Sequence, residues 1–411
     1  MKPLPDAQRE VLSALGPRDP VRMSVWDALG AVLAAEVTAP HDVPPFANSA
    51  MDGYALRAAD TTDAPVELRV VEDVAAGHVA TTSVEPGTAI KIMTGAPLPD
   101  GADAVLEVEA TEPGDGRVRI LATAPPGNHI RPAGGDVARG TRVFSVGTRL
   151  RPAHLGVLST LGVATPLVYE PPRVALLSTG DEVLPPEAEA LEPGRIRDAN
   201  RPLLSGLLRQ LGVEFLDLGI VPDDGVLLRE TLLRASEECD VIVTSGGVSM
   251  GEYDLVKQVL AALGDVDLWR VAMKPAKPFA FGTVAGTPLF GLPGNPVSVL
   301  VAFEQFLRPA LLTMMGASAI FRPRVRGTLA EAVDTDPEKV VFLRVALSYV
   351  DDDWVVSLAG GQSSNVLSAA AAADALAVVP VGVGSLDAGD RVELEMIHWP
   401  ESRTRTEVLD G

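Results

Sequence analysis

The chain has 411 residues, which is too long for one ordinary hydrophobic core, and this length predicts two to four domains. A net charge of −21 at pH 7 argues against nucleic acid or an anionic membrane surface as the main partner. The only cysteine, Cys239, excludes an internal disulfide and a metal site built on several cysteines. The N-terminus lacks the long apolar core of a signal peptide, and no segment is expected to span a bilayer, so we expect a soluble cytoplasmic protein.

The first 170 residues change from a helical pattern to a β pattern and back. In SVWDALGAVLAAEV, Ser24 and Asp27 have the spacing of a capping box, which predicts a helix. Its apolar face would consist of Trp26, Leu29, Val32 and Leu33. Short β segments separated by Gly and Pro follow, and RLRPAHLGVLSTLGV then predicts a helix again. We therefore expect a helical linking domain formed by 1–50 and 146–170, with a small β-rich domain at 51–145.

The next 150 residues alternate between strand and helix patterns. The apolar runs RVALLST, EFLDLGIV, CDVIVTS and DLWRVAM predict strands, and amphipathic segments such as RPLLSGLLRQLG predict helices between them. This alternation predicts a mostly parallel sheet, covered by helices on both faces, over 171–320. β patterning returns after FRPRVRG and predicts a small barrel or sandwich over 321–411. The expected fold class is multidomain, α/β plus β.

The loops that follow these strands have an unusual composition. In an open α/β sheet, ligands bind beyond the carboxyl ends of the strands. Each loop alone is explained by a capped turn or an exposed lysine, but five in succession at one sheet edge predict a ligand site. The five loops are STGDE (178–182), VPDDG (221–225), SGGVSMGEYD (245–254), MKPAKP (273–278) and GLPGNPVS (291–298).

The chemistry of these loops suits an anion accompanied by a cation. Lysines at 274 and 277 would attract an anionic ligand, while Asp and Glu oxygens suit Mg²⁺, which bridges to phosphate. The Walker A, GxGxxG and HExxH signatures are missing. The histidines show no metal-ligand spacing, and we expect each to be structural or exposed; they are His41, His78, His129, His154 and His398.

Several long motifs together resemble one family. PPFANSAMDGYALR (44–57), IMTGAPLPDGADAV (92–105), STGDE, SGGVSMGEYD, KPAKPFAFG (274–282) and GLPGNPVS are similar to motifs of the molybdopterin molybdenumtransferases, MoeA and the gephyrin E domain, in the same order and over essentially the whole chain. The resemblance implies a central domain of molybdopterin-binding type and an elongated four-domain homodimer with its cleft at the subunit interface. It also implies Mg²⁺-dependent insertion of molybdate into adenylylated molybdopterin, with release of AMP.

The resemblance also assigns roles to residues of this chain. It implies that Glu182 and Asp254 are the Mg²⁺ ligands. The catalytic set that it implies is Asp52, Thr94, Asp136, Glu182, Asp223 and Asp254. The substrate-binding set is Thr179, Gly180, Asp181, Asp198, Asn200, Arg201, Ser245, Gly246, Gly247, Ser249, Lys274, Lys277, Pro293, Gly294, Asn295 and Pro296.

The chain departs from the family pattern at three positions. Gly135 precedes Asp136 where Glu is frequent, Arg197 stands where an aromatic residue is common, and Ala276 replaces a frequent Gly. No adenylylating domain is recognised, so we expect a separate molybdopterin adenylyltransferase to supply the substrate. Two other functions stay open at this point: a nucleotide or pyrophosphate hydrolase, and a peptide-binding scaffold.

Overall fold

A computed structural model describes residues 1–247 and 255–400 of the chain. Three six-stranded sheets organise this part of the molecule, and we call them the N-terminal sheet, the central sheet and the C-terminal sheet. The main helices are Leu4–Ser13, Pro152–Thr160, Asn200–Leu211, Gly225–Glu238, Leu255–Leu263, Pro296–Ala302, Arg308–Met314 and Leu367–Ala371.

The central sheet is mostly parallel, as the alternating pattern predicts. Its strands lie in the order Phe215–Val221, Val174–Thr179, Val241–Ser245, Thr287–Leu292, Pro278–Val284 and Val266–Arg270. The first four pair in parallel, and the last two join through antiparallel pairing. Two strands, Pro278–Val284 and Thr287–Leu292, were not among those expected from the sequence. Because the parallel strands point the same way, their following loops meet at one edge of the sheet.

Helices cover both faces of this sheet. Side chains of one strand alternate between the faces, so that Val174 and Leu176 pack in one apolar core, and Ala175 and Leu177 pack in another. The first core includes the helix Asn200–Leu211 and the second includes Gly225–Glu238.

One helical stretch runs through the first core. It begins at Pro296, passes through a π-helical turn at Phe303–Leu307 and ends at Met314. By length and composition alone, this stretch could cross a membrane. The expectation that no segment is apolar enough to span a bilayer was therefore too broad. Most of its length, however, is buried inside the protein, where it supplies core side chains to the central sheet.

The N-terminal sheet consists of the expected short strands and two more. In sheet order they are Ala104–Glu107, Gly53–Leu56, Thr88–Ile92, Val66–Val74, Arg117–Ile120 and Thr111–Pro113. Separate apolar clusters lie around it, one centred on Leu56 and Ile120, the other on Ile90 and Ile92.

The predicted helix at SVWDALGAVLAAEV is wrong. Trp26 is 89% exposed, and the backbone at Gly30 has a left-handed φ of +82°, which interrupts any helix there. Val32 and Leu33 instead form isolated bridges with Arg149 and Val168 and are fully buried. The β-branched residues of this segment therefore pack as extended chain. The helix predicted from RLRPAHLGVLSTLGV is present as Pro152–Thr160.

The C-terminal sheet closes into a five-stranded barrel, which confirms the expected barrel-like fold. Its strands are Arg324–Leu329, Val340–Val350, Asp353–Leu358, Ala375–Val379 and Arg391–Met396. Closure comes from pairing of Val340–Val350 with both Asp353–Leu358 and Ala375–Val379. The sixth strand, Met273–Lys274, comes from the central region and pairs with Val340 and Val341. The fold class is thus multidomain α/β plus β, as predicted.

Candidate functional site

Three distant segments meet at one end of the N-terminal sheet, and we call them the N-terminal cluster: residues 43–53, 93–98 and 127–137. Backbone hydrogen bonds hold them together. The N–H of Ser49 donates to the carbonyl oxygen of Ala96 at 3.0 Å, and Ser49 also pairs with Ile130 in a short antiparallel ladder. The N–H of Asp136 donates to Val43 O at 2.9 Å. The structure therefore brings Asp52, Thr94 and Asp136 into one region, each with an exposed side chain.

Asp52 and Thr94 are in direct contact. The backbone N–H and the Oγ1 hydroxyl of Thr94 both donate to Oδ1 of Asp52, each at 2.7 Å. The two donors lower the pKa of Asp52 below its ordinary value, with the backbone N–H as the larger cause. Asp52 is therefore held as a carboxylate with its second oxygen free of these bonds.

Two loops at the carboxyl edge of the central sheet are joined through their acids. The N–H of Asp223 donates to Oδ1 of Asp181 at 3.0 Å. Gly180 has a φ of +128°, and a Cβ placed there would lie 2.4 Å from Oε2 of Glu182. The carboxylate of Glu182 therefore folds back over Gly180, whose positive φ is the feature that favours glycine there. The neighbouring Asp224 caps the following helix by accepting from two backbone N–H groups.

The substrate-side loop RIRDANR meets the loop GLPGNP. Nδ2 of Asn200 donates to the carbonyl oxygen of Gly294 at 2.7 Å. Asp198 is buried and accepts from the backbone N–H groups of Asn200 and Arg201, at 3.0 and 3.1 Å. Nε of Arg201 lies 3.3 Å from Asp198, and the side chain of Arg201 is only 13% exposed. Asp198 and Arg201 thus brace the start of the helix Asn200–Leu211, and Asn200 joins the two loops.

The C-terminal barrel also contacts the loop GLPGNP. Nδ2 of Asn295 donates to Oγ of Ser364 at 3.0 Å, and the N–H of Val297 donates to Ser364 O at 3.2 Å. Pro293 is buried beneath this loop, while Gly294 and Asn295 are exposed and Pro296 begins the helix. The barrel therefore supports the outer side of the loop.

The strand Val241–Ser245 ends in two glycines with left-handed φ angles, +92° at Gly246 and +68° at Gly247. A Cβ on Gly246 would lie 2.8 Å from the carbonyl oxygen of Thr179. Four hydroxyl groups at this sheet edge are buried and have no hydrogen-bond partner among the described residues: Ser178, Thr179, Thr244 and Ser245. Buried hydroxyls without a partner are unfavourable, which makes this edge of the sheet a candidate ligand site. Ser249, Glu252, Tyr253 and Asp254 lie outside the described residues.

The lysines lie between two sheets. Lys274 belongs to the strand that pairs with Val340 and Val341 of the barrel, and Lys277 accepts a backbone hydrogen bond from Val271 at 2.9 Å. Both lysine side chains are exposed. Between them, Ala276 is 2% exposed and has a left-handed φ of +72°. This conformation favours glycine, the residue that the resemblance led us to expect there.

The predicted residues thus form two groups within this chain, as their placement in two different domains led us to expect. Within the described chain, no hydrogen bond or ion pair joins the N-terminal cluster to the loops of the central sheet. The described residues also contain no cluster of three His, Cys, Asp or Glu side chains that could hold a metal. Sequence reasoning did not single out Ser178 and Thr244 as site residues. Hydroxyl residues at the end of apolar strands could have indicated them. Sequence reasoning also missed a contact of 3.0 Å between Glu107 and His129, for which the sequence has no signal.

A mostly parallel α/β sheet with glycine-rich, acidic loops at its carboxyl edge, together with a closed barrel, defines a multidomain α/β plus β protein. The family models match in the same order: MoeA N-terminal region (domain I and II) at 2–162, probable molybdopterin binding domain at 175–313, and MoeA C-terminal region (domain IV) at 326–397. The chain belongs to the molybdopterin molybdenumtransferase (MoeA) family, and it is a transferase of molybdenum cofactor biosynthesis.

Individual relatives agree over nearly the full length. Molybdopterin molybdenumtransferase 2 of Mycobacterium tuberculosis H37Rv is 39% identical over 404 residues, covering 96% of this chain and 99% of the relative. Gephyrin of Dictyostelium discoideum is 32% identical, covering 92% of this chain and 59% of gephyrin. The crystal structure of a molybdopterin biosynthesis moeA protein from Pyrococcus horikoshii OT3 is similar with a TM-score of 0.81 and 30% identity, covering 96% of this chain and all of that one.

Proposed function

We propose that the chain inserts molybdate into adenylylated molybdopterin in a Mg²⁺-dependent reaction that releases AMP. One observation carries the proposal: loops from four parts of the chain are fastened in two pairs at the carboxyl edge of the central sheet. The bonds that fasten them run between Asp181 and Asp223 and between Asn200 and Gly294. Glycine backbone, buried hydroxyls and acids meet there, as a phosphate-containing ligand with a cation requires.

In this proposal, Glu182 and Asp254 hold the Mg²⁺ ion. The exposed carboxylate of Glu182 fits the role, because Mg²⁺ keeps several waters and takes only one or two protein carboxylates. It also lies above Gly180, at the edge where the ligand would sit. When bound, Mg²⁺ would neutralise charge that develops on the phosphate oxygens.

The side chains of the protein have separate tasks. Lys274 and Lys277 attract molybdate or a substrate phosphate, and they act locally because the net charge of −21 repels anions at long range. Gly246 and Gly247 have no Cβ, so the ligand can approach their backbone closely. Asp223 would orient the substrate beside Asp181, whose Oδ1 it contacts through its backbone.

The N-terminal cluster completes the cleft in a homodimer. Asp52, Thr94 and Asp136 have no contact through hydrogen bonds or ion pairs with the central loops of their own chain, within the described residues. A second copy would supply these loops across a subunit interface. We further propose a cytoplasmic location and a separate molybdopterin adenylyltransferase that delivers the substrate.

The test is AMP release from adenylylated molybdopterin, measured with and without molybdate and Mg²⁺. We expect release that requires both ions. Nucleotide cleavage that does not depend on molybdate would instead indicate a hydrolase. Peptide binding without any turnover would indicate a scaffold.

A further inference from the structure

His129 and Glu107 form a contact beside the proposed cleft to which the predicted catalytic set gives no role. Nε2 of His129 lies 3.0 Å from Oε2 of Glu107, and the two side chains are 36% and 30% exposed. Oε2 of Glu107 is itself buried and forms no hydrogen bond with any described residue, so its approach to His129 is a close contact and not a hydrogen bond. The imidazole is therefore the group that faces an otherwise unpartnered carboxylate oxygen.

The backbone of His129 is held in an unfavourable conformation. Its φ is +49°, in the left-handed region that a non-glycine residue adopts only at some cost. The preceding residue fixes the segment, because the side chain of Asn128 donates to Val105 O at 2.8 Å while Val105 N–H donates back to Asn128 O at 2.9 Å. This arrangement directs the His129 side chain toward the end of the strand Ala104–Glu107.

Both members of the pair are connected to Asp52 through the backbone. The carbonyl oxygen of His129 accepts from the N–H of Ala50 at 2.8 Å, two residues before Asp52. On the other side, Glu107 pairs with Gly53, and the N–H of Val108 donates to the carbonyl oxygen of Asp52 at 3.1 Å. Ala50, before Asp52, is thus bonded to His129, and Gly53, after Asp52, is paired with Glu107.

We propose that His129 is a positioning residue: through its contact with Glu107 it fixes the 50–53 backbone and so sets where the Asp52 carboxylate points. This proposal rests on the proposed function in one respect: Asp52 must take part in the reaction for its position to affect turnover. The imidazole acts through a contact and not as a proton carrier. A small displacement of a reacting group costs rate without weakening binding elsewhere, because the substrate-binding loops belong to the central sheet.

The variants are His129→Asn, Glu107→Ala and the double variant. Asparagine tolerates the left-handed backbone but is too short to reach Glu107, so it separates the contact from the backbone conformation. The matched control is His398→Asn, because His398 makes a similar contact of 3.2 Å with Asp374 in the C-terminal barrel. Thermal melting of each variant verifies that it is folded.

Two readouts decide the proposal. Amide exchange measured over 46–54 should become faster in His129→Asn and stay at the wild-type rate in His398→Asn. In AMP release, His129→Asn should lower kcat about tenfold with KM unchanged, and the double variant should be no slower than the slower single variant. His129→Gln, which has the length to donate to Glu107, should recover much of kcat.

The outcomes separate this proposal from the proposed function. Unchanged exchange in His129→Asn, or fully additive losses in the double variant, overturns the positioning role. A wild-type protein without molybdate-dependent AMP release overturns the proposed function, and exchange alone then decides whether His129 positions the 50–53 backbone.

Discussion

Nδ2 of Asn200 donates to the carbonyl oxygen of Gly294 at 2.7 Å, so a helix start and a loop nearly a hundred residues later in the chain are held as one unit. Asp198 fixes the position of Asn200 by accepting its backbone N–H at 3.0 Å. Asn295 in turn donates to Ser364 of the barrel. The substrate-side loop, the loop GLPGNP and the barrel are therefore connected by a short chain of direct bonds.

Removing the Thr94 hydroxyl should raise the pKa of Asp52. The folded-state pKa of Asp52 is lowered by the two donors of Thr94, so their stabilisation is present above the unfolded pKa and is lost as pH falls through the folded one. Thr94→Val removes one donor, and the pKa should move up toward its ordinary value. A pH titration of the Asp52 carboxyl carbon by NMR measures this. Thr62→Val, whose hydroxyl bonds only to Ala59 O, serves as the control; an equal shift there would refute the assignment.

Replacing Glu182 should strongly lower turnover without unfolding the protein. If Glu182 holds Mg²⁺, Glu182→Ala should lower turnover by about a hundredfold or more, which is about 3 kcal/mol of barrier. Its carboxylate is exposed among other acids, so stability should hold or rise slightly. The measurements are Mg²⁺-dependent AMP release and thermal melting in metal-free buffer. Glu187→Ala, an exposed glutamate of the same connection, should leave both unchanged. Normal AMP release in Glu182→Ala would remove this residue from the site. The same loss is expected for Asp254→Ala.

The two loop lysines should govern the apparent affinity for anions. Lys274→Ala and Lys277→Ala should each raise the KM for molybdate or for the adenylylated substrate, because the net charge of the chain supplies no attraction. The difference from wild type should shrink as salt concentration rises, since salt screens exposed charges. Lys91→Ala is the control, because Lys91 pairs with Asp73 in the N-terminal sheet. If both KM values match the wild type, these lysines are ordinary surface residues.

Two inactive variants should restore activity to each other if the cleft is shared between subunits. Asp52→Ala and Glu182→Ala damage different halves of the cleft, so a heterodimer of the two contains one intact cleft and one doubly damaged cleft. After random mixing, about a quarter of the wild-type activity should return. Light scattering at micromolar concentration should show a dimer. A fully active monomer, or a mixture that stays inactive, contradicts the shared cleft.

Glu304 should matter for stability and not for binding. Its side chain is 2% exposed and accepts two hydrogen bonds from Arg322, both at 2.9 Å, with Arg308 at 3.8 Å. Burial is the main cause that lowers the pKa of Arg308 to about 10, and Arg322 adds to it. Glu304→Gln leaves two partly buried arginines without their carboxylate, which should cost about 3 kcal/mol of unfolding free energy. Urea unfolding measures it. Glu393→Gln at an exposed pair should cost at most about 1 kcal/mol.

Much of the fold was predictable because its strands are strongly patterned. Runs such as CDVIVTS carry consecutive apolar residues, as strands covered on both faces do, and the barrel strand Val340–Val350 is rich in valine and aromatic residues, which favour strands. The strands Pro278–Val284 and Thr287–Leu292 were not predicted, because their glycines and prolines indicate turns when the neighbouring strands are unknown. Trp26 was wrongly placed on the apolar face of a helix. Apolar residues three and four positions apart also occur in an irregular segment, where contacts with distant parts of the chain bury residues such as Val32.

The site was predictable only as a set of loops. Composition indicated which loops could bind an anion and a cation, and the sheet direction placed them at one edge. It could not show that Arg201 is paired with Asp198 and Asp217, nor that His129 reaches Glu107, since these contacts depend on how distant segments pack. The partition of the acids between two regions, in contrast, was expected from the sequence, because Asp52, Thr94 and Asp136 fall in the β-rich segment and the other acids fall in the α/β segment.

The two-residue strand Met273–Lys274 has a consequence for how the chain can be divided. Its backbone partners, Val340 and Val341, belong to the barrel, although Lys274 serves the edge of the central sheet. A fragment that ends before Arg324 would keep every strand of the central sheet, but Lys274 would lose the backbone pairing with Val341. The central domain therefore depends on the barrel, and a truncation that removes the barrel should yield a folded central sheet in which the segment around Lys274 is loosely held.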